Sequence, residues 1–147
     1  MYLIDTNVIS ELTIPLPDPA VVDWFANTPV QSIYISAVTL CEMQRGLALM
    51  PAGKRKNALK IATDAVIQKD FAQRCLSLDA RCAPVYGSLA ARQQQQGRAC
   101  SAEDAMIAAI ALANQLTLVT RNTKDFEGIE SLVLLNPWNE NPSIIKP

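Results

Sequence analysis

Apolar and polar positions along this chain fall into two rhythms, and the switches between them predict its elements. The opening run Tyr2-Leu3-Ile4 has no alternation, as expected of a strand buried on both faces, and it stops abruptly on Asp5-Thr6-Asn7. A short helix is predicted from Thr6 to Leu12. Pro15, Pro17 and Pro19 follow as a rigid connection, and Asp18-Pro19 reads as a cap with proline at the first helical position, opening a helix through Val22, Trp24 and Phe25. Gln31 to Ile35 reads as a second strand. Ser36 is placed to cap a helix running to Met50, with Leu40, Met43, Leu47 and Met50 on one face.

Pro51-Ala52-Gly53 ends that helix, and a longer helical stretch is predicted from Lys54 to Gln73. Arg74 to Leu78 reads as a short strand. Ala80 to Gln96 reads as a helix whose glutamine run, Gln93 to Gln96, is closed by Gly97. Ser101-Ala102-Glu103-Asp104 opens a helix that is apolar on every side from Ala105 to Ala113, so it should be enclosed. Leu116 to Thr120 and Leu132 to Leu135 complete the strands. Strands alternating with helices imply an α/β/α sandwich around a parallel sheet of four to five strands. One domain over residues 1–147 is expected, with a loose polar tail over 139–147.

Composition changes this picture in one respect. The chain has no histidine. Ser-His-Asp and Cys-His catalysis are therefore excluded, and hydrolysis would have to run on carboxylates, a metal-activated water, or lysine or tyrosine chemistry. The four cysteines form no C-x-x-C pair and are expected to be small buried apolar residues. Half of the residues are hydrophobic and mean hydropathy is +0.12, which argues against disorder. The longest apolar run is too short to span a bilayer, and no cationic start with an apolar region suggests secretion, so a soluble cytoplasmic protein with no membrane association is expected.

Charge is uneven although the net charge is only −1. Residues 45–98 carry a net +7 and the remainder a net −8. The basic middle, led by Lys54, Arg55, Lys56 and Lys60, would attract a polyanion or simply solvate a helix face. Lys54 to Lys60 lie near the start of their helix, the unfavourable end for cations.

The predicted architecture carries a geometric consequence. Helices return antiparallel to the strands, so helix N-termini lie at the sheet's carboxyl edge, where open α/β folds bind ligands. Asp5 ends the first strand there. Glu42 stands in the second turn of the Ser36-capped helix, Asp104 in the first turn of its own, and Asn122 and Asp125 follow the Leu116–Thr120 strand. Each acid also has a purely structural use: Asp5 as a helix cap, Glu42 paired with Arg45, and Ser101-x-x-Asp104 and Asn122-x-x-Asp125 as capping patterns. Four carboxylates in one cleft would need protons or cations, and an all-oxygen set selects Mg²⁺ or Mn²⁺, the chemistry of phosphodiester hydrolysis.

Four stretches resemble one family. Tyr2 to Glu11, Ile35 to Glu42 followed by Gly46, Asp104 to Ala109, and Val119 to Phe126 resemble, in order and spacing, the motifs of PIN-domain nucleases. The length and the closing Asn136-Pro137-Trp138 look most like the VapC- and FitB-type toxins of type II toxin–antitoxin pairs, including plasmid-stability proteins. The resemblance implies a Mg²⁺- or Mn²⁺-dependent endoribonuclease, neutralised by a cognate antitoxin, forming a homodimer and higher toxin–antitoxin assemblies. It implies Asp5, Glu42, Asp104 and Asp125 as catalytic carboxylates, with Asp5 and Asp104 holding the metal. Thr6 and Asn7 match positions that fix Asp5 by hydrogen bonding.

Two arrangements of the last motif stay open: Asp125 supplies the fourth carboxylate, or Asn122 binds a ligand water and Asp125 only caps the turn. The five glycines form no phosphate-binding motif. A receiver-like module would want paired acids where Asp5-Thr6-Asn7 stands. A non-catalytic or receiver-like Mg²⁺-binding module, acting through partner binding, is the alternative reading.

Overall fold

The computed structural model describes residues 1–97 and 100–139. Five strands form one parallel sheet: β1 (Tyr2–Ile4), β2 (Ile33–Ser36), β3 (Cys75–Leu76), β4 (Thr117–Val119) and β5 (Leu134–Leu135), in the order β3-β2-β1-β4-β5. Six helices join them: α1 (Thr6–Glu11), α2 (Pro19–Asn27), α3 (Ala37–Leu49), α4 (Lys54–Ala65), α5 (Cys82–Gln95) and α6 (Ala102–Ala113). This is the expected α/β/α sandwich. From β1 the chain steps outward to β2 and β3, then crosses back past β1 to β4 and β5. The order therefore reverses between β1 and β4, and crevices of parallel sheets open at such a reversal.

The central strands are covered on both faces. Leu3 and Leu118 point into one core with Cys82 and Leu89 of α5 and Ile107 and Ile110 of α6. Ile4 and Val119, one residue on, point into a second core with Val8, Ile9, Trp24 and Met43. The two-residue side-chain period of strands divides the pair in this way. Ile107 and Ile110 are fully buried, each contributing about 1.5–3 kcal/mol by burial. Tyr2 and Trp24 meet edge to face, with ring centroids 5.4 Å apart.

Local caps follow the sequence. Asp18 accepts from the Ala20 amide ahead of Pro19, Ser36 from the Thr39 amide, and Ser101 from the Asp104 amide. Gly97 closes α5 at φ +66°.

Several expectations need correction. The helix predicted to run to Gln73 leaves α geometry at Ala65 and becomes a π-helical turn over Val66–Asp70. The wider turn re-phases the chain so that both Val66 and Phe71 reach the second core. The second strand begins at Ile33, preceded by a 3-10 turn over Val30–Ser32, and β3 keeps only two residues of its predicted span. Only Cys82 is buried; Cys41 and Cys75 are exposed, Cys75 because β3 is the outermost strand. The tail expected to be loose from residue 139 falls outside the described residues beyond Asn139.

Candidate active site

The site begins with sheet register. Tyr2 pairs with Thr117, Leu3 with Leu118 and Ile4 with Val119, and the Asp5 amide donates to the Val119 carbonyl at 2.9 Å. One residue further, Asp5 and Thr120 stand side by side at the carboxyl ends of β1 and β4, in the crevice where strand order reverses. Both are buried. The Thr120 hydroxyl donates to Asp5 Oδ2 at 2.8 Å, the Asn7 amide Nδ2 donates to the same oxygen at 2.8 Å, and the Thr6 amide donates to Asp5 Oδ1 at 2.7 Å. Asp5 thus caps α1, as its structural reading required, while its carboxylate is fixed from three sides.

Glu42 arrives from α3, whose N-terminus Ser36 anchors at the same edge. Its Oε2 accepts a hydrogen bond from the Thr6 hydroxyl. The alternative pairing with Arg45 is not formed among the described ion pairs. Asp104 enters on the first turn of α6, where Ser101 Oγ accepts from the Asp104 amide at 3.0 Å and donates to Asp104 Oδ2 at 2.6 Å. Each carboxylate is held by a hydroxyl: Thr120, Thr6 and Ser101 respectively.

The three acids feel one another. Burial raises the Asp5 carboxyl above the ordinary aspartate range, and Asp104 adds to the rise; the hydrogen bonds from Thr120, Thr6 and Asn7 oppose it. Burial likewise raises Glu42, with further contributions from Asp5, Asp104 and Glu103 and opposition from the Thr6 hydroxyl. Among the described residues no three acidic or cysteine side chains already close into a metal-ligand cluster. The donor set nonetheless suits a hard divalent cation, because it is oxygen only and its members repel.

Asp125 follows β4. It is exposed, in a 3-10 turn over Thr123–Phe126, and its charge acts on the Cys100 thiol together with that of Asp104. The Asn122 side chain makes no cap of that turn. The Asn122 backbone N–H donates to Thr120 Oγ1 at 3.0 Å, fixing the hydroxyl that holds Asp5.

Thr120, inside the Val119–Phe126 stretch, is a site residue to which the motifs assign no role, because its contact with Asp5 depends on β1–β4 register. The signal available was its place at the end of a strong strand, the same place Asp5 has on β1.

The basic stretch lies elsewhere. α3 leads away from the acidic edge over 13 residues, roughly 20 Å at 1.5 Å per residue, before α4 begins. Lys56 Nζ donates to the Ala48 and Met50 carbonyls at the end of α3, and Lys60 pairs with Asp64 at 2.5 Å. Those two lysines have structural work; Lys54 and Arg55 stay exposed. Hollows between α5 and residues 123–134, lined by Leu89, Leu112 and Ile129, include none of the three acids.

The model of the PIN domain matches residues 2–131, nearly the whole described chain. The chain belongs to the PIN-domain family. It is 42% identical to the plasmid stability protein StbB of Pseudomonas syringae pv. tomato over 94% of this chain and 99% of that protein. It is 37% identical to the VapC ribonuclease Y4jK of Sinorhizobium fredii, over 94% and 98%. Toxin FitB of Neisseria gonorrhoeae is 36% identical, over 95% and 100%, and FitAcB from the same organism superposes with a TM-score of 0.85 at 37% identity, over 95% and 99%.

Proposed function

We propose that this chain is the toxin of a type II toxin–antitoxin pair, a Mg²⁺- or Mn²⁺-dependent endoribonuclease neutralised by a cognate antitoxin. The observation that carries this reading is the buried Asp5 at the β1–β4 reversal, fixed by Thr120, Asn7 and the Thr6 amide, with Glu42 tied to the same helix start by the Thr6 hydroxyl, in a chain without histidine. Relatives named as a ribonuclease, a toxin and a plasmid stability protein, matched over nearly their full length, support it.

Asp5 and Asp104 would hold the ion, with Glu42 orienting it or its water. When bound, the ion supplies positive charge to the phosphoryl oxygens and makes the attacking water more acidic. Asn7 and Thr120 hold the Asp5 carboxylate in one orientation, and Thr6 ties Glu42 to the same helix start. Asp125 is proposed as an outer acid at the Cys100 rim of the cleft. No helix of the described residues is long and apolar enough to cross a membrane. We place the protein in the cytoplasm, as a homodimer within a toxin–antitoxin assembly.

The test is cleavage of RNA by purified protein free of antitoxin, with Mg²⁺ or Mn²⁺, beside Asp5→Asn and Asp104→Asn. Cleavage is expected to need the ion and to fall at least about 100-fold in both variants, since partners one layer out already change activity 10–100-fold. Activity persisting in EDTA, or unchanged in both variants, overturns the mechanism. Metal binding without cleavage would favour the non-catalytic module.

A further inference from the structure

Arg121 is the first residue beyond Thr120, and the chain holds it from three directions. Its amide donates to Asn7 Oδ1 at 3.1 Å, the amide that also holds Asp5. Its carbonyl accepts from Asn136 Nδ2 at 3.5 Å. Its guanidinium lies over the Trp138 ring, 5.1 Å from the centroid. Trp138 is in turn fixed, its amide donating to Asn136 Oδ1 at 3.0 Å and its ring packing on the core that contains Ile4, Val8 and Ile9. The closing Asn136-Pro137-Trp138 stretch is thus a clamp on Arg121.

Three other arginines have their charge or donors committed. Arg81 pairs with Asp79, Arg92 with Glu130, and Arg74 donates to the Val30 carbonyl. Arg121 is exposed and forms no ion pair among the described residues. A guanidinium whose face is covered by an indole keeps its in-plane N–H donors on the outer edge, the fork that matches a phosphate. Its backbone amide touches Asn7, the residue that orients Asp5, which puts Arg121 at the carboxyl end of β4 directly after Thr120. A polyanion approaching three carboxylates needs such a counter-charge.

We infer that Arg121, stacked on Trp138, binds a backbone phosphate flanking the scissile one and so positions the RNA across the Asp5–Thr120 crevice. It is a binding and positioning residue, and this assignment rests on the ribonuclease reading above. An acidic side chain of a protein partner could engage the same fork, but the position beside the acids favours the substrate.

The experiment measures binding of a single-stranded RNA oligonucleotide in EDTA over a salt series, and kcat and KM with Mn²⁺, for wild type, Arg121→Gln and Arg121→Lys. Arg121→Gln should weaken binding about 5–10-fold at low salt and lower the slope of log K against log salt by about 0.7, one phosphate's share for single strands. KM should rise more than kcat falls. Arg121→Lys keeps the slope but binds about threefold more weakly, having lost the fork and the stack. It also shows that the effect is one of charge and not of folding, provided both variants melt as wild type does. A wild-type slope and affinity in Arg121→Gln overturn the inference. So does unchanged RNA binding with lost association of a protein partner, which would assign Arg121 to that partner. Wild type that neither binds nor cleaves RNA removes the ribonuclease reading and this inference with it; wild type that cleaves beside an unaffected Arg121→Gln removes the inference alone.

Discussion

Thr120 donates its hydroxyl to Asp5 across 115 positions of sequence, at 2.8 Å, in the one gap of the sheet where strand order reverses. The same hydroxyl accepts from Asn7 Nδ2 at 3.1 Å and from the Asn122 amide at 3.0 Å, so its own proton is directed to the carboxylate. Threonine at this place connects the β4 end to the Asp5 orientation.

Thr120→Val keeps the shape and removes that proton. The expected cost is about 1–3 kcal/mol of stability, since buried acceptors and donors lose their partner, and about 10–100-fold in cleavage. Thermal melting and steady-state kinetics measure the two. An active Thr120→Val enzyme would show that Asn7 and the Thr6 amide suffice.

The raised acids predict a pH signature. A carboxyl raised in the folded state is held protonated more tightly there than in the unfolded chain. Its contribution is therefore favourable below the unfolded value, is lost as pH climbs through the folded value, and leaves a penalty at neutral pH. Glu42 is raised by burial and by Asp5 and Asp104, and it lies partly in solvent. In EDTA at pH 7.5, Glu42→Gln should melt higher by roughly 1–2 °C, the small figure reflecting solvent screening. The gap should close toward pH 4. A lower melting point at neutral pH would mean that the hydrogen bond from Thr6 outweighs the repulsion.

Divalent ions should relieve the same repulsion. Mn²⁺ at 100 times its dissociation constant would stabilise the fold by about 2.7 kcal/mol, a shift of several degrees. Asp5→Asn and Asp104→Asn should each abolish most of that shift, whatever their activity. A full shift in Asp104→Asn would take Asp104 out of the ligand set.

The basic stretch should divide by residue. Lys56→Ala removes the donor to the Ala48 and Met50 carbonyls and should cost about 1 kcal/mol in unfolding, with little effect on RNA. Lys54→Gln with Arg55→Gln should leave the melting point in place and lower the salt dependence of RNA binding by up to about 1.4, one phosphate's share for each charge. No change in that slope would make the two a solvated face.

What the sequence alone determined lies within a few residues of each signal. Tyr2-Leu3-Ile4 announced a strand buried twice over, Asp18-Pro19, Ser36 and Ser101 announced helix starts, and the acids announced themselves by their places after strands. These are local effects, in which a side chain bonds a backbone group two or three residues away. The missing histidine narrowed the chemistry before any coordinates. Tertiary structure decided which neighbour each acid takes. Asp5 takes Thr120 because β1 and β4 pair in one register, and Glu42 takes Thr6 over Arg45 because α1 and α3 start at the same edge. It also separated Lys56 from Lys54 and clamped Arg121 between Asn7 and Trp138. The Glu42–Thr6 and Asp5–Thr120 bonds join residues 36 and 115 positions apart. Spacing along the chain carries no record of them, because they exist only once strand register and helix packing have set which ends meet.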